Sequence, residues 1–350
     1  MARKKKKRLR KNQGKHYSGI GGQAVLEGIM MKNQEKYSVA VRTPQGDIDV
    51  VVEEYESFLP IKGISRVPFI RGVFNFIDSL ILGMRTLNYS ASFYEEEQDT
   101  HKREKILDRI FGDNSDKVLS TITVIFSIAI AIGLFMLLPY FLAQMLTKYI
   151  MSETMIGIAE GVLRVIIFVL YIVLISCMKD IRRVFMYHGA EHKCINCIEN
   201  AYPLTVENVR NSSRQHKRCG TSFLFFVVFL SVILFIFIRV EEPVMRVVIR
   251  LLLIPVIASL AYEIIRLAGK SDFILVRILS APGMWLQRLT TREPDDDMIE
   301  VAIAAVEAVF DWKKFFIDEF GYDVDEQERL AAEELAGVRG LGDAGSGEEV

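Results

Sequence analysis

Two histidines four residues apart, with a glutamate just before the second, give this sequence its clearest sign of chemistry. His188, Glu191 and His192 follow the spacing H-x-x-E-H. On a helix the two imidazoles point the same way and can bind one ion. In the inverted zincin motif, which has the same spacing, the glutamate acts as general base. The pattern therefore predicts a divalent metal, with zinc favoured, on His188 and His192, and Glu191 as the proton acceptor.

A second group of reactive side chains follows in the segment 214–219. His216 and Cys219 lie three residues apart there, with Arg218 between them. Two histidines plus either His216 or Cys219 make three protein ligands with one open position, which is the catalytic arrangement of zinc. Arg218 is expected to stabilise a developing anion. Glu199 is expected to lie outside this site, because eleven residues of helix would hold it about 16 Å from His188.

Simpler interpretations of these residues stay open. The two motif histidines would equally serve as hydrogen-bond donors to lipid phosphates or to the backbone at a membrane surface. Cys194 and Cys197 form a C-x-x-C pair, which suits metal binding or redox chemistry, but cytosolic cysteines also pack as small hydrophobic side chains. The basic residues of the same region are either topology determinants or phosphate ligands; they are Arg210, Arg214, Lys217 and Arg218.

Four long apolar stretches must position this chemistry. They cover residues 118–145, 157–178, 220–238 and 247–267. A helix needs about 20 apolar residues to cross a bilayer core. The fourth stretch is interrupted by Arg250, Glu263 and Arg266, so a buried soluble helix is an alternative there. The pattern predicts a polytopic α-helical membrane protein with about four transmembrane helices.

The charges of the chain are segregated. Its 43 Lys and Arg balance 44 Asp and Glu to a formal net charge of −1, which excludes a uniformly basic nucleic-acid binder. With 51% hydrophobic residues, the chain is not disordered throughout. Eight of the first eleven residues are Lys or Arg, and residues 179–218 and 266–292 are also basic. The positive-inside rule therefore predicts a multi-pass chain with an even number of spans and both termini in the cytosol.

The basic N-terminus has three interpretations. It acts as a topology determinant alone, or it binds anionic lipid headgroups at about 1 kcal/mol per charge, or it contacts RNA by the same salt-sensitive attraction. No apolar signal-peptide core follows it, so the first span is expected to act as the insertion signal.

The remaining segments complete a predicted domain order. A cytosolic β-meander of three strands is predicted at 23–31, 37–43 and 48–55, and amphipathic helices at 64–93 and 272–289. A further apolar stripe runs through 299–316. The predicted order is a basic disordered tail (1–17), the meander (18–60), an amphipathic helix and linker (61–116), a transmembrane hairpin (117–178), a cytosolic His/Cys loop (179–219), a second hairpin (220–267), C-terminal cytosolic helices (268–320) and an acidic, disordered tail (321–350).

Five strings of this sequence resemble the YqhQ-like bacterial membrane proteins. They are GGQAVLEGIMM (21–31), YHGAEHK (187–193), LTVENV (204–209), SRQHKRCGTSF (213–223) and LTTREPDD (289–296). The resemblance extends from about Ser18 to Phe310. This family is a domain of unknown function described as predicted metal-dependent enzymes. The positions that match its pattern are Gln23, Glu27, His188, Glu191, His192, Cys197, His216, Arg218 and Cys219, whereas Cys194 departs from it.

The sequence thus predicts a metal-dependent hydrolase with its site at the cytosolic face. Gln23, Glu27, Arg214 and Cys197 are expected to support that site. The expected substrate is a lipid headgroup or a membrane-protein segment. The alternative is a non-enzymatic scaffold or biogenesis factor that docks on another membrane complex or on a second copy of the chain. Transport is the least favoured class, because it depends only on the intramembrane charges Glu160, Arg164 and Glu263.

Overall fold

A computed structural model describes residues 16–57, 67–94, 115–150, 152–238, 240, 242–270 and 273–326. Most of the predicted disordered tails (1–17 and 321–350) lies outside these residues. The described parts are ordered, contrary to the prediction: His16 Nδ1 lies 2.8 Å from Glu319 Oε2, and Val324 is buried. The described chain has four strands, β1 Gly21–Val25, β2 Gly28–Asn33, β3 Lys36–Arg42 and β4 Ile48–Glu54. Its helices are α1 Ile70–Ser92, α2 Ser115–Ile132, α3 Leu138–Met145, α4 Glu153–Ser176, α5 Lys179–Glu199, α6 Val206–Arg210, α7 Gly220–Phe237, α8 Pro243–Lys270, α9 Ile274–Thr290, α10 Asp296–Val309 and α11 Trp312–Phe320.

The four strands form one antiparallel sheet in the order β1-β2-β3-β4. The prediction of a single strand over 23–31 was wrong, because the chain reverses between Val25 and Gly28, which pair with each other. Glu27 occupies this two-residue turn with φ +48, a left-handed conformation that sequence patterning did not indicate. A side chain at Gly28 would collide with the carbonyl of Ala40, so the close strand pairing requires glycine there.

Helices cover both faces of this sheet. Ile29 and Met31 point to one face and join the core formed with α10, including Ile299. Met30 points to the other face, where it packs in a cluster with Leu82 of α1. The alternation is that of a strand with period two. The sheet therefore obtains from two helices the support that so short a sheet needs.

The segment 179–219, predicted as a loop, is largely helical. The first 21 residues of this segment form α5. From Tyr187 to its end this helix is buried, apart from the partly exposed His188. The apolar stripe at 299–316, in contrast, is split. It divides into α10 and α11 because the chain turns at Phe310 and Asp311, where the Asp311 carboxylate accepts the N–H of Lys314.

Four helical segments are long and apolar enough to cross a membrane, and they coincide with the four predicted stretches. They are Thr121–Lys148, which includes a π-helical turn at Gly133–Leu137, Glu153–Ser176, Gly220–Phe237 and Val244–Ala268. Helix α1 does not meet this criterion. It packs between the sheet and α8, where Arg71 Nε donates to Glu263 Oε1 at 2.6 Å. Glu263, which has no partner nearby in sequence, is thus neutralised by a residue 192 positions away.

Candidate metal centre

Helix α5 presents the two motif histidines on one face. Their rings lie 4.4 Å apart between centroids, as expected for residues one helical turn apart. Gly189, between them in sequence, packs against α9–α10: a Cβ there would collide with the carbonyl oxygen of Arg292. The helix is therefore held close to the 290–292 segment, and this closeness fixes where the imidazoles lie.

Cys219 completes the group from another element. It is the N-cap of α7, and its Sγ accepts the backbone N–H of Thr221 at 3.3 Å. The same Sγ lies 3.2 Å from His188 Nε2. One potential ligand atom each from His188, His192 and Cys219 lies within 4.8 Å of the other two. These three residues can bind a metal ion.

Backbone carbonyls orient both histidine rings. His188 Nδ1 is 2.9 Å from the carbonyl oxygen of Thr290, and His192 Nδ1 is 2.7 Å from that of Arg214. Because a carbonyl oxygen only accepts, each Nδ1 must carry the proton and donate it. The lone pair of a neutral imidazole then resides on Nε2. This is the arrangement that positions histidines as metal ligands.

In the absence of metal, the thiol and imidazole form a charged pair. Burial opposes ionisation of Cys219, but the charges of His188 and His192 hold the pKa of its thiol well below the usual value. Burial likewise opposes protonation of His188, yet the Cys219 thiolate raises the pKa of that imidazole to about 9. The lowered pKa favours the thiolate form of Cys219, which is the form that binds metals.

Glu191 lies beside this group and is held from the sheet. Its Oε1 accepts the backbone N–H of Gly22 at 3.1 Å, and its Oε2 lies 4.0 Å from His188 Nε2. Burial raises the pKa of this carboxyl group, although the neighbouring imidazoles act in the opposite direction. A carboxyl group with a raised pKa is suited to accept a proton near neutral pH.

His216, the alternative third ligand, is directed elsewhere. Its Nε2 lies 3.4 Å from Glu199 Oε2, and its ring centroid is 5.8 Å from that of His192. Glu199 is fully buried and is also bonded by Arg218 and by Ser18, whose backbone N–H and hydroxyl both donate at 3.1 Å. This second group ties the N-terminal segment to α5. Glu199 lies outside the three-residue group that can hold a metal.

A cavity of about 430 Å³ opens onto the metal-binding group. Gln23 lines it, as do Lys32 and Arg218, together with His188, Glu191, His192 and Cys219. Burial lowers the pKa of Lys32 to about 8 although the charge of Asp78 acts in the opposite direction. The Nε of Arg218 is buried with no hydrogen-bond partner among the described residues. The N-terminus of the 18-residue helix α7 faces the same space. This combination favours a ligand that carries negative charge.

Three predicted supporting residues take other places. Glu27 does not line the cavity, because its turn directs it to Arg183 and to the Tyr187 hydroxyl, which donates at 3.3 Å. Arg214 contributes its carbonyl, whereas its side chain faces Glu293. Cys197 is buried in the core and donates to the carbonyl of Tyr202.

The C-x-x-C pair is therefore not part of this site. Cys194 packs in the same core, and burial raises the pKa of its thiol well above the usual value. Both cysteines behave as small hydrophobic side chains.

Sequence reasoning did not identify Gly22, Lys32 and Thr290 as site residues. Gly22 and Thr290 act through the backbone, and no side-chain pattern indicates such a role. Lys32 is one of many lysines, and only the fold brings it to the cavity.

Comparison with known proteins gives two matches. The profile of a family described as "Protein of unknown function (DUF1385)" matches residues 67–312. The chain is 37% identical over 289 residues to "Uncharacterized protein YqhQ" of Bacillus subtilis (strain 168), covering 81% of this chain and 89% of that protein. No solved structure matches.

Proposed function

This chain belongs to the YqhQ-like family of proteins of unknown function, DUF1385, and from its site we propose that it is a membrane-embedded, metal-dependent hydrolase. One observation carries the proposal: two imidazoles and one thiolate converge while both Nδ1 atoms are committed to backbone carbonyls. A histidine that serves only as a hydrogen-bond donor has no need of a thiolate 3.2 Å from its other nitrogen.

The donor set fits zinc. Tetrahedral zinc with nitrogen at about 2.0–2.1 Å and sulfur at about 2.3 Å requires ligand atoms about 3.3–3.6 Å apart. The Nε2–Sγ separation of His188 and Cys219 is 3.2 Å, so little movement would admit the ion. Three ligands leave one position open, as catalytic zinc sites do. Between the two alternatives for the third ligand, the geometry favours Cys219 over His216.

The neighbouring residues have distinct roles in the proposed reaction. A divalent ion supplies Lewis-acid chemistry when bound, polarising a carbonyl or phosphoryl oxygen and increasing the acidity of water. Glu191, which accepts the backbone N–H of Gly22, takes a proton from the attacking water and returns it to the leaving group. Arg218, which lines the cavity and is paired with Glu199, and Lys32 provide positive charge near the anion that develops.

We propose further that the four apolar helices cross the plasma membrane, with the sheet and α5 in the cytosol. Large apolar side chains are exposed on these helices, such as Ile125 at 62% and Phe126 at 65%. Lys179 after α4 and Arg218 before α7 lie at the ends of these helices nearest the metal centre, in agreement with the positive-inside rule. The termini are then both cytosolic.

The substrate we propose is a lipid headgroup or a membrane-protein segment. Ser79 and Leu82 of α1 line the cavity, and neighbouring positions of the same helical turns expose Leu80 at 50% and Met84 at 46%. An apolar surface directly beside a positively charged cavity suits a substrate with an acyl chain and an anionic head. A headgroup phosphoester is therefore the favoured bond.

The test is product analysis with a matched variant. Membrane lipid extract from the source organism is incubated with zinc-loaded protein and with Glu191→Gln, which keeps the shape of the side chain but removes the base. We expect the wild type to release headgroup products that mass spectrometry detects, and the variant to be slower by about a hundredfold or more.

Equal product formation by both proteins would contradict the role of Glu191. A scaffold that docks on another complex predicts a different result. In that case Glu191→Gln would support normal growth in cells, and no lipid or peptide product would depend on the protein.

A further inference from the structure

A second cavity, of about 380 Å³, lies at the opposite end of the apolar helices. Phe235, near the end of α7, lines it, whereas Cys219 caps the start of the same helix. Sixteen residues of helix separate these two positions by about 24 Å. The second cavity is therefore distinct from the metal centre.

A buried group of three charged residues lies at its inner end: Glu160 and Arg250 line the cavity, and Arg164 bonds Glu160 without lining it. The Glu160 carboxylate accepts from Arg164 at 2.6 Å and from both terminal nitrogens of Arg250 at 2.6 and 3.0 Å. The side chains are only 7%, 4% and 8% exposed, respectively. Two positive charges thus share one negative charge. An excess positive charge in a low-dielectric interior is costly unless an anion compensates it.

The position of Arg164 has a local structural cause. In a regular helix the carbonyl of Phe135 would accept the N–H of residue 139, but Pro139 has none. The helix widens to a π turn there, and Arg164 Nε donates to the Phe135 carbonyl at 3.0 Å. This hydrogen bond to the Phe135 carbonyl holds the charged guanidinium of Arg164 beside Glu160. Glu160 then has to serve two arginines.

A third arginine faces the same cavity. Arg246 lies one turn before Arg250 on α8, and both line the space. Its Nε donates to the carbonyl of Val240 at 2.7 Å, and its guanidinium lies 5.0 Å over the ring of Tyr140. It has no carboxylate partner in the part of the chain that the structure describes. Glu153, which is exposed, is the second acidic residue of the lining, so the two glutamates and two arginines of the lining balance. The excess positive charge is that of Arg164, which bonds Glu160 without lining the cavity.

We propose that this cavity binds a phosphate group, carried either by an anionic lipid headgroup or by a soluble phosphate compound. The guanidinium planes of Arg250 and Arg246 are held by the rings of Phe235 and Tyr140, which leaves their N–H edges ordered. Ordered guanidinium groups bind phosphate oxygens through paired hydrogen bonds. If the helices cross the membrane as proposed, this end lies at the headgroup level of the extracytoplasmic leaflet.

The experiment uses the full-length protein in detergent. Binding of phosphatidylglycerol is measured by native mass spectrometry, and binding of inorganic phosphate by calorimetry, for the wild type, Arg246→Gln and Lys148→Gln. Lys148 lies at the same end of the helices and does not line the cavity, so its loss controls for general charge effects. We expect Arg246→Gln to weaken binding about tenfold or more and Lys148→Gln to leave it unchanged.

The two ligands separate the two sources of phosphate. Binding of phosphatidylglycerol without inorganic phosphate identifies a headgroup site, and binding of inorganic phosphate with the same arginine dependence identifies a site for soluble phosphate. Glu160→Gln provides an independent variant, because removal of the negative charge that Arg164 and Arg250 share should tighten anion binding. Absence of binding of both ligands to the folded wild type, or equal binding by Arg246→Gln, would overturn the proposal.

Discussion

The Sγ of Cys219 lies 3.2 Å from the Nε2 of His188, although 31 positions separate these residues in the chain. One residue lies in the middle of α5 and the other at the N-terminus of α7. The contact joins a cytosolic helix, in our proposal, to the start of a membrane span. In addition to the hydrogen bonds that both histidines donate to backbone carbonyls, it gives His188 a thiol neighbour with which it could share a metal ion.

The first prediction concerns the reactivity of Cys219. In metal-free protein carrying Cys177→Ser, iodoacetamide should modify Cys219 rapidly at pH 7, because the neighbouring imidazoles lower the pKa of its thiol. Cys177 is removed because it is the exposed free cysteine, while Cys194 and Cys197 are buried in the core.

The pH dependence of that reaction follows from the direction of the shift. An ordinary thiol has a pKa of about 8.5 and loses about tenfold in rate for each pH unit below it. Cys219 should instead keep its rate through neutral pH and lose it only in acid. Added zinc should protect it. A rate that falls steadily below pH 8, or that zinc does not affect, would argue against a metal-binding thiolate. Peptide mass spectrometry gives the site and extent of modification.

The second prediction concerns Gly22. A Cβ there would lie 2.5 Å from the carbonyl oxygen of Met30 and 3.1 Å from Cγ of Glu191. We expect Gly22→Ala to lower the free energy of unfolding by about 1–3 kcal/mol and to displace the base. Gly21→Ala is the matched control, since nothing lies within 4 Å of a Cβ at that position. Thermal unfolding measures the loss of stability. The rate of product release measures the effect of displacing Glu191. Equal behaviour of the two variants would contradict the described approach of β1 to α5.

The third prediction concerns Glu199. It is fully buried and accepts hydrogen bonds from Ser18 and Arg218. Glu199→Gln should reduce stability by about 2–3 kcal/mol, because hydrogen bonds to a charged group are lost. Zinc content should persist, since Glu199 is not part of the metal-binding group. Glu319→Gln, which removes the partly exposed partner of His16, is the control and should be nearly neutral. Loss of zinc from folded Glu199→Gln would show that the metal site extends to this residue.

The fourth prediction concerns Glu27. We predicted from the sequence that it supports the site, but in the structure it does not line the cavity. Its carboxylate pairs with Arg183, whose side chain is 50% exposed. Glu27→Gln should therefore change stability by about 1 kcal/mol or less and leave zinc content and activity unchanged. A loss of activity comparable to that of Glu191→Gln would return Glu27 to the catalytic group.

Length, hydropathy and periodicity were sufficient to locate the four long apolar helices and the helix that carries the histidines. The four apolar stretches coincide with the four helices, because length and hydropathy alone define such segments. The helical spacing of His188 and His192 also correctly placed both rings on one side.

Tertiary contacts could not be obtained in that way. The choice between Cys219 and His216 depends on how α7 begins relative to α5, and both residues fit the spacing equally well. The turn at Glu27 has none of the usual turn residues, so one strand was predicted where two exist. The carbonyls of Thr290 and Arg214, which fix the imidazole tautomers, have no sequence signature at all.

The most direct test of the metal centre is X-ray absorption spectroscopy at the zinc edge on the purified full-length protein. We expect about one zinc per chain, with two imidazole nitrogens at about 2.0–2.1 Å and one sulfur at about 2.3 Å from the metal. Cys219→Ser should lose the sulfur signal, and His216→Gln should retain it. A wild-type protein that binds no metal, or a sulfur signal that persists in Cys219→Ser, would contradict the account.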